Sequence, residues 1–278
     1  GYLAWKGMDK SRRPRLVSTV HGLYSVSAYS AVMVKGEAVI AVSETVRRYI
    51  LDHYRNVAPE RIKLIFRGVD RSQFSYGYQP SPEWKSTWHR QYPFLEGKHV
   101  ITLPGRITRL KGHEEFLKLV ADLKNSDLPI HGLIVGGAHA DKQAYFDELK
   151  ALAEQLGIGA EVTFTGQRAD LREIMAVSRL VLSLSTQAES FGRTVLEALS
   201  LGIPVCGYNH GGVGEQLNTL LPSGGVPLGD TVSLGKTVRT FLESPPVVPP
   251  EHPFTLANML ETTLNVYMAL CEEPPLAA

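Results

Sequence analysis

Leu180-Val181-Leu182-Ser183-Leu184-Ser185, Glu189-Ser190-Phe191-Gly192-Arg193-Thr194-Val195-Leu196-Glu197-Ala198 and Leu201-Gly202-Ile203-Pro204-Val205, in that order, decide the fold of this chain. The first run is apolar and short, as a buried strand is. The second sets two glutamates eight residues apart, with a Phe-Gly turn after the first and helix-forming residues under the second. The third is a glycine helix stop that leads into another strand. Together they predict a strand, a loop and a helix, with the first glutamate on the loop at the strand's carboxyl end. In open α/β sheets ligands bind in the crevice outside those ends. The amides of Phe191 to Thr194 would open the helix and present a site for phosphate.

The same alternation extends on both sides. Strands are expected at 99–104, 130–135, 161–165, 180–185 and 203–207, and helices at 111–125, 140–156, 169–177 and 193–201. That pattern predicts a parallel, doubly wound sheet. Nearer the start, strands are expected at 16–20, 38–42 and 62–66, with Ser43 as the N-cap of a helix over 44–54. Turn-rich residues from Tyr76 to Pro82 precede a short helix at 84–92, and the interdomain linker is placed at 76–97. Pro245-Pro246-Val247-Val248-Pro249-Pro250 precedes a last helix near 254–271.

Composition fits a soluble enzyme: 278 residues, 44% hydrophobic, 21% charged, enough for one or two cores. A net charge of +1 argues against binding nucleic acid. Cys206 and Cys271 sit in apolar surroundings without paired spacing and read as reduced core residues of a cytoplasmic protein. No apolar run reaches the roughly 18 residues of a membrane span. A basic start, Lys10-Ser11-Arg12-Arg13-Pro14-Arg15 with Trp5 nearby, offers contact with an anionic membrane surface, against the simpler reading of a solvated segment.

Two glutamates also suit a glycosidase, so spacing matters. Eight residues of helix rise about 12 Å, whereas hydrolytic carboxyl pairs stand roughly 5–9.5 Å apart. Side-chain reach could close that gap, so the spacing weakens the hydrolase or phosphorylase reading without excluding it.

The segment from Glu189 to Glu215 resembles the signature of the retaining glycosyltransferase family 4, the group 1 transferases of GT-B fold. It carries Glu189, Phe191-Gly192, Glu197-Ala198, Gly202-Ile203-Pro204-Val205, Gly211-Gly212 and Glu215. Pro104-Gly105-Arg106-Ile107-Thr108-Arg109-Leu110-Lys111-Gly112, Ile134-Val135-Gly136-Gly137 and Val162-Thr163-Phe164-Thr165-Gly166 match further elements in family order. The resemblance implies an α/β fold of two Rossmann-like domains. The first, 1–75, is expected to be only partly present, its glycine-rich loop and most of its acceptor pocket lying beyond this chain. The second, 98–247, is expected to be complete and to bind a nucleotide-sugar. The tail and helix at 248–278 either cross back onto the first domain, as in the family, or pack on their own.

Residue by residue, the resemblance makes Arg106 and Lys111 a clamp for the donor diphosphate, with Gly105 allowing close approach. Glu197 would accept hydrogen bonds from the two ribose hydroxyls, which suits a carboxylate. Glu189 would hold hydroxyls of the transferred sugar, while Ser190, Phe191, Gly192 and Arg193 would line sugar and phosphate. Gln167 and Arg168 would border the base, and Gly136 and Gly137 would keep the floor open. His21, before Gly22 at a strand end, resembles the family histidine beside the donor sugar. Together with Arg106, Lys111 and Glu189 it makes up the catalytic set. Arg67 departs from the family, which carries Asn before Gly-Val-Asp.

The implied reaction is transfer of a sugar, with retention, from a UDP-, GDP- or ADP-sugar to a saccharide or glycolipid acceptor. The region from Val20 to Ser25 resembles members of bacterial envelope and lipopolysaccharide biosynthesis. No cofactor or metal is expected, because no Asp-x-Asp or His/Cys ligand set is present. A binding-only fragment without turnover is the alternative, and an incomplete first sheet leaves an edge open to dimerisation.

Overall fold

The structure, a computed structural model, describes residues 1–9, 11–55, 57–125 and 128–272. Its elements run α1 (Tyr2–Gly7), β1 (Val17–Val20), β2 (Ala38–Ala41), α2 (Glu44–His53), β3 (Ile62–Leu64), α3 (Pro82–Gln91), β4 (His99–Pro104), α4 (His113–Lys124), β5 (Ile130–Val135), α5 (Gln143–Gln155), β6 (Val162–Gly166), α6 (Leu171–Ala176), β7 (Leu180–Ser183), α7 (Arg193–Ser200), β8 (Val205–Tyr208), α8 (Gly211–Leu220), β9 (Gly225–Val226), α9 (Thr231–Glu243) and α10 (Leu256–Glu272). They divide into two compact units. One comprises Gly1–Asp70, Glu189–Phe191 and the chain from Pro253, the other Arg71–Ala188 and Gly192–His252.

The first unit holds three parallel strands in the order β1-β2-β3. Every residue of β2 is buried, as expected of a parallel strand covered on both faces. Ser43 caps α2, its hydroxyl accepting from Val46 N at 3.1 Å. The connection from β1 to β2 contains only a 3-10 turn at Ser30–Val34. The C-terminal helix belongs to this unit. Val69 N donates to Phe254 O at 3.1 Å and Leu256 N to Val69 O at 2.9 Å. A Cβ on Gly68 would collide with the Thr255 carbonyl, so glycine is what lets the start of α10 dock there. Cys271 is exposed on α10, which corrects its reading as a core residue. Its neighbours Tyr267 and Met268 are exposed apolar side chains too, so the hydrophobic context did not mark a core. Cys206 is fully buried, and burial pushes its thiol up to about 12.

The basic segment near the start is largely engaged within the protein. Arg15 pairs with Glu37 at 2.5 Å, and Arg13 lies 4.0 Å from the Trp5 ring centroid. Trp5 Nε1 donates to Pro14 O at 2.6 Å. Lys10, the first residue of that run, lies outside the described residues.

The second unit carries six parallel strands in the order β6-β5-β4-β7-β8-β9. From β4 the chain winds outward through β5 and β6, then returns beside β4 at β7 and winds the other way. The strand order therefore reverses between β4 and β7, which in such sheets is the ligand-binding switch point. β5 is buried along its whole length, as is β4 apart from His99.

The segment 76–97, expected as a linker, folds into this unit. Trp84 stacks on Trp88 at 5.1 Å, and Trp88 meets Tyr92 at a tilt, 4.4 Å between centroids. Trp88, Tyr92 and Leu95 join Val100, Leu133, Val135 and Ile174 in one buried cluster. The aromatic residues recur every four positions, a helical stripe that buries one face. The prolines and glycines around it mark only the helix ends. Helices α8 and α9 and the short β9 were outside the sequence expectation, since glycines at 211, 212 and 214 obscure the first of these helices.

Candidate nucleotide-sugar site

The carboxyl ends of β4, β5 and β6 meet in a patch of bare backbone. Gly105 follows β4 with φ +156, and its N–H donates to Val135 O at 2.9 Å. A Cβ on Gly136 would collide with the Gly105 carbonyl, so the β4 and β5 ends approach more closely than any side chain permits. Ile107 N donates to Gly137 O at 3.0 Å, and a Cβ on Gly137 would sit 3.5 Å from Gln167 Cβ. The sequence-expected Gly105, Gly136, Gly137 and Gln167 are thus brought together.

Arg106 leaves this patch exposed, and among the described residues it has no ion-pair partner. Lys111 lies along Gly105, its Cδ 3.4 Å from where a Cβ would stand. The loop that carries both is held in place. Lys111 N donates to Thr108 O at 3.2 Å, and His113 Nδ1 donates to the same carbonyl at 3.2 Å. Gly112 takes the left-handed conformation that caps α4, and a Cβ there would strike the Leu184 carbonyl. Burial holds His113 at about 4, so the ring is neutral.

The loop after β7 is pinned to its neighbours. Thr186 N donates to Leu110 O at 2.8 Å, and His210 Nε2 donates to Ser185 O at 2.8 Å. Both His113 and His210 therefore build loops. Gly192, left-handed at φ +82, caps α7, and a Cβ on it would meet Val213 Cγ2 at 2.6 Å. Arg193 is exposed and pairs with Glu197 at 3.2 Å, while the Glu197 side chain is only 14% exposed. Burial raises the Glu197 carboxyl above its ordinary value, and Arg193 offsets part of that rise. A desolvated carboxylate with one exposed partner retains acceptor capacity for donors from a ligand.

Arg168 is committed elsewhere. Its Nε and Nη2 donate to Asp170 at 2.9 and 2.7 Å, and its guanidinium lies 5.8 Å from the Trp88 ring centroid. Trp84 Nε1 donates to the same carboxylate at 2.8 Å. Sequence reasoning missed this assembly, although an Arg-x-Asp spacing beside an aromatic stripe was its signal. Glu189, Ser190 and Phe191 fall in the first unit, where buried Phe191 stands edge-on to Phe254 at 6.1 Å. His21 follows β1 there and is exposed. Partial desolvation lowers its pKa, and the Arg67 charge lowers it further, so the non-family arginine lies close enough to act on this ring. Among the described residues, no three His, Cys, Asp or Glu side chains are grouped to hold a metal.

Comparison with known proteins shows the family and the fold. The family pattern of Glycosyl transferases group 1 matches residues 85–244, and that of Glycosyltransferase Family 4 matches residues 1–73. The chain belongs to the group 1, family 4 glycosyltransferases, and its fold is the two-Rossmann GT-B type. A D-inositol 3-phosphate glycosyltransferase of Rhodococcus erythropolis is 29% identical over 234 residues, 77% of this chain and 51% of that protein. The chain spans about half the length of the curated relatives it matches. A glycosyltransferase of Rickettsia africae superposes with TM-score 0.78 at 23% identity, covering 93% of this chain and 71% of that one. The Anabaena protein HepE, solved with UDP and glucose, gives 0.76 at 24% identity, covering 95% and 73%.

Proposed function

We propose that this chain binds the nucleotide-sugar donor of a retaining glycosyltransferase, with the second unit holding the nucleoside diphosphate. The observation that carries the proposal is the conjunction at the switch point. There the backbone at Gly105 and Gly136 is bare, Arg106 is a cation with no ion-pair partner among the described residues, and Glu197 is a desolvated carboxylate on the helix opened by Gly192. Negative charge grows on the leaving β-phosphate as the sugar departs, so Arg106 and Lys111 stabilise the transition state more than the ground state. Glu197 takes the ribose hydroxyls, Gln167 and the backbone at Arg168 border the base, and Arg193 lies beside the phosphate end. Glu189 and His21 have roles at the transferred sugar.

HepE was solved with UDP, which makes UDP-sugars the first donors to try, ahead of GDP- and ADP-sugars. The acceptor is a saccharide or lipid-linked saccharide, as in envelope biosynthesis. The name of the Rhodococcus relative adds a phosphorylated polyol as a second acceptor class. The test is thermal denaturation with UDP-, GDP-, ADP- and dTDP-sugars, with Lys111→Ala and Glu197→Ala as controls. A ligand at 100 times its Kd stabilises by about 2.7 kcal/mol. One nucleotide should raise Tm in the wild type and in neither variant. Equal shifts in both variants would refute the assigned site.

A further inference from the structure

The first unit contains a second concentration of positive charge that the donor reading does not use. A cavity of about 470 Å³ is lined by Lys35, Arg55, Arg61 and His53 over a floor that includes Tyr2 and Val34. Its size falls within the range of small-molecule sites, roughly 300–1,000 Å³. Among the described residues no carboxylate lines it. Among the described residues none of Lys35, Arg55 and Arg61 has an ion-pair partner, and the nearby Glu37 is taken by Arg15 at 2.5 Å. Elsewhere in the same unit, Arg15, Arg47 and Arg48 all have carboxylate partners.

Arg61 supplies a second, independent observation. One of its terminal nitrogens donates to the Gly36 carbonyl, which fixes the guanidinium at the mouth of β3. Its Nε is buried and has no hydrogen-bond partner among the described residues. With the guanidinium held there, its other terminal nitrogen can meet an anion oxygen, as guanidinium N–H groups bind phosphate well. Lys35 already lies 5.0 Å from the Tyr2 ring centroid, so cation and aromatic surface sit side by side.

The position separates this cavity from His21. Lys35 and Arg61 precede β2 and β3, at the amino ends of the parallel strands, whereas His21 follows the carboxyl end of β1. We propose that this cavity binds a phosphate monoester, its phosphate held by Lys35, Arg55 and Arg61 and its organic part resting on Tyr2 and Val34. The monoester is either a soluble metabolite or the headgroup of a phosphatidic acid-like lipid.

Titration calorimetry of the full chain with glycerol 3-phosphate tests this, run alongside flotation with vesicles of phosphatidylcholine with and without phosphatidic acid. Arg106→Ala/Lys111→Ala removes the phosphate clamp proposed for the donor, and binding should persist in that variant. Lys35→Ser/Arg55→Ser alters only exposed side chains and should keep its fold by circular dichroism while losing at least about tenfold in affinity. Loss of calorimetric binding assigns a soluble monoester, and loss of flotation with phosphatidic acid assigns the lipid. Unchanged affinity in Lys35→Ser/Arg55→Ser, or no binding of either ligand by the wild type, overturns the proposal.

Discussion

The loops after β4 and after β6 each present an arginine that sequence reading assigned to the donor, yet the two arginines differ in commitment. Arg106 is exposed and unpaired among the described residues. Arg168 is locked to Asp170 through two hydrogen bonds, and Trp84 secures the same carboxylate. Residue type and loop position are the same, but one guanidinium is available to a ligand and the other holds a wall in place. A binding group has to keep hydrogen-bonding capacity that the fold does not consume.

The sharpest contrast should come from the glycines beneath these arginines. Gly112 is left-handed and pressed against the Leu184 carbonyl, whereas Gly166 is left-handed with open space around it. Gly112→Ala should cost about 3 kcal/mol or more, and Gly166→Ala about 1–2 kcal/mol from backbone strain alone. Denaturant unfolding of the two variants measures the difference, and equal losses would mean that the β4–α4 loop is not wedged against β7. Next, Arg106→Ala should leave Tm within a degree or two while weakening nucleotide binding by roughly ten- to a hundredfold. Arg168→Ala should instead lose about 1 kcal/mol of stability, the value of a well-formed but partly exposed pair.

Glu197 extends the comparison to pH. Its carboxyl titrates higher in the folded state than in the unfolded one. Between the two values the folded protein therefore binds more protons, and stability falls as pH rises through that window. Glu197→Gln removes this cost and should raise Tm slightly at pH 7 while abolishing nucleotide binding. A fall in Tm would show that the Arg193 pair outweighs desolvation. The buried histidines run the opposite way. His113 and His131 are held at about 4, below the unfolded value of about 6.5. Their stability contribution is complete above pH 6.5 and is lost as pH falls toward 4. His131→Asn should shallow the acid limb of stability between pH 6.5 and 4 by up to about one proton, seen as a smaller slope in urea midpoints.

Much of the fold could be read from periodicity. The strands at 99–104 and 130–135 were expected with the bounds they have, because continuous apolar runs between turns leave few alternatives. The segment from 76 to 97 reads as a linker from its prolines and glycines, yet the Trp84, Trp88 and Tyr92 stripe packs it into the core. The glycines of the site were legible because motif spacing reports close backbone approach, and Gly136 against Gly105 shows such an approach. Which side chains remain available was not legible. Arg168 looks like Arg106 until Asp170 is seen to fold back two residues along the chain, and a sequence does not show where a rotamer points. The cation cluster of Lys35, Arg55 and Arg61 is likewise spread along the chain from 35 to 61 and assembled only by the fold.

Arg106, which has no ion-pair partner among the described residues, should hold the donor phosphates, and Arg168, spent on Asp170, should not. Calorimetric Kd values for UDP, GDP and ADP against the wild type, Arg106→Ala and Arg168→Ala, at one ionic strength, test it most directly. Whichever nucleotide binds the wild type should lose at least about tenfold in Arg106→Ala and under about threefold in Arg168→Ala. Equal or greater loss in Arg168→Ala, or no binding of any of the three, would contradict it.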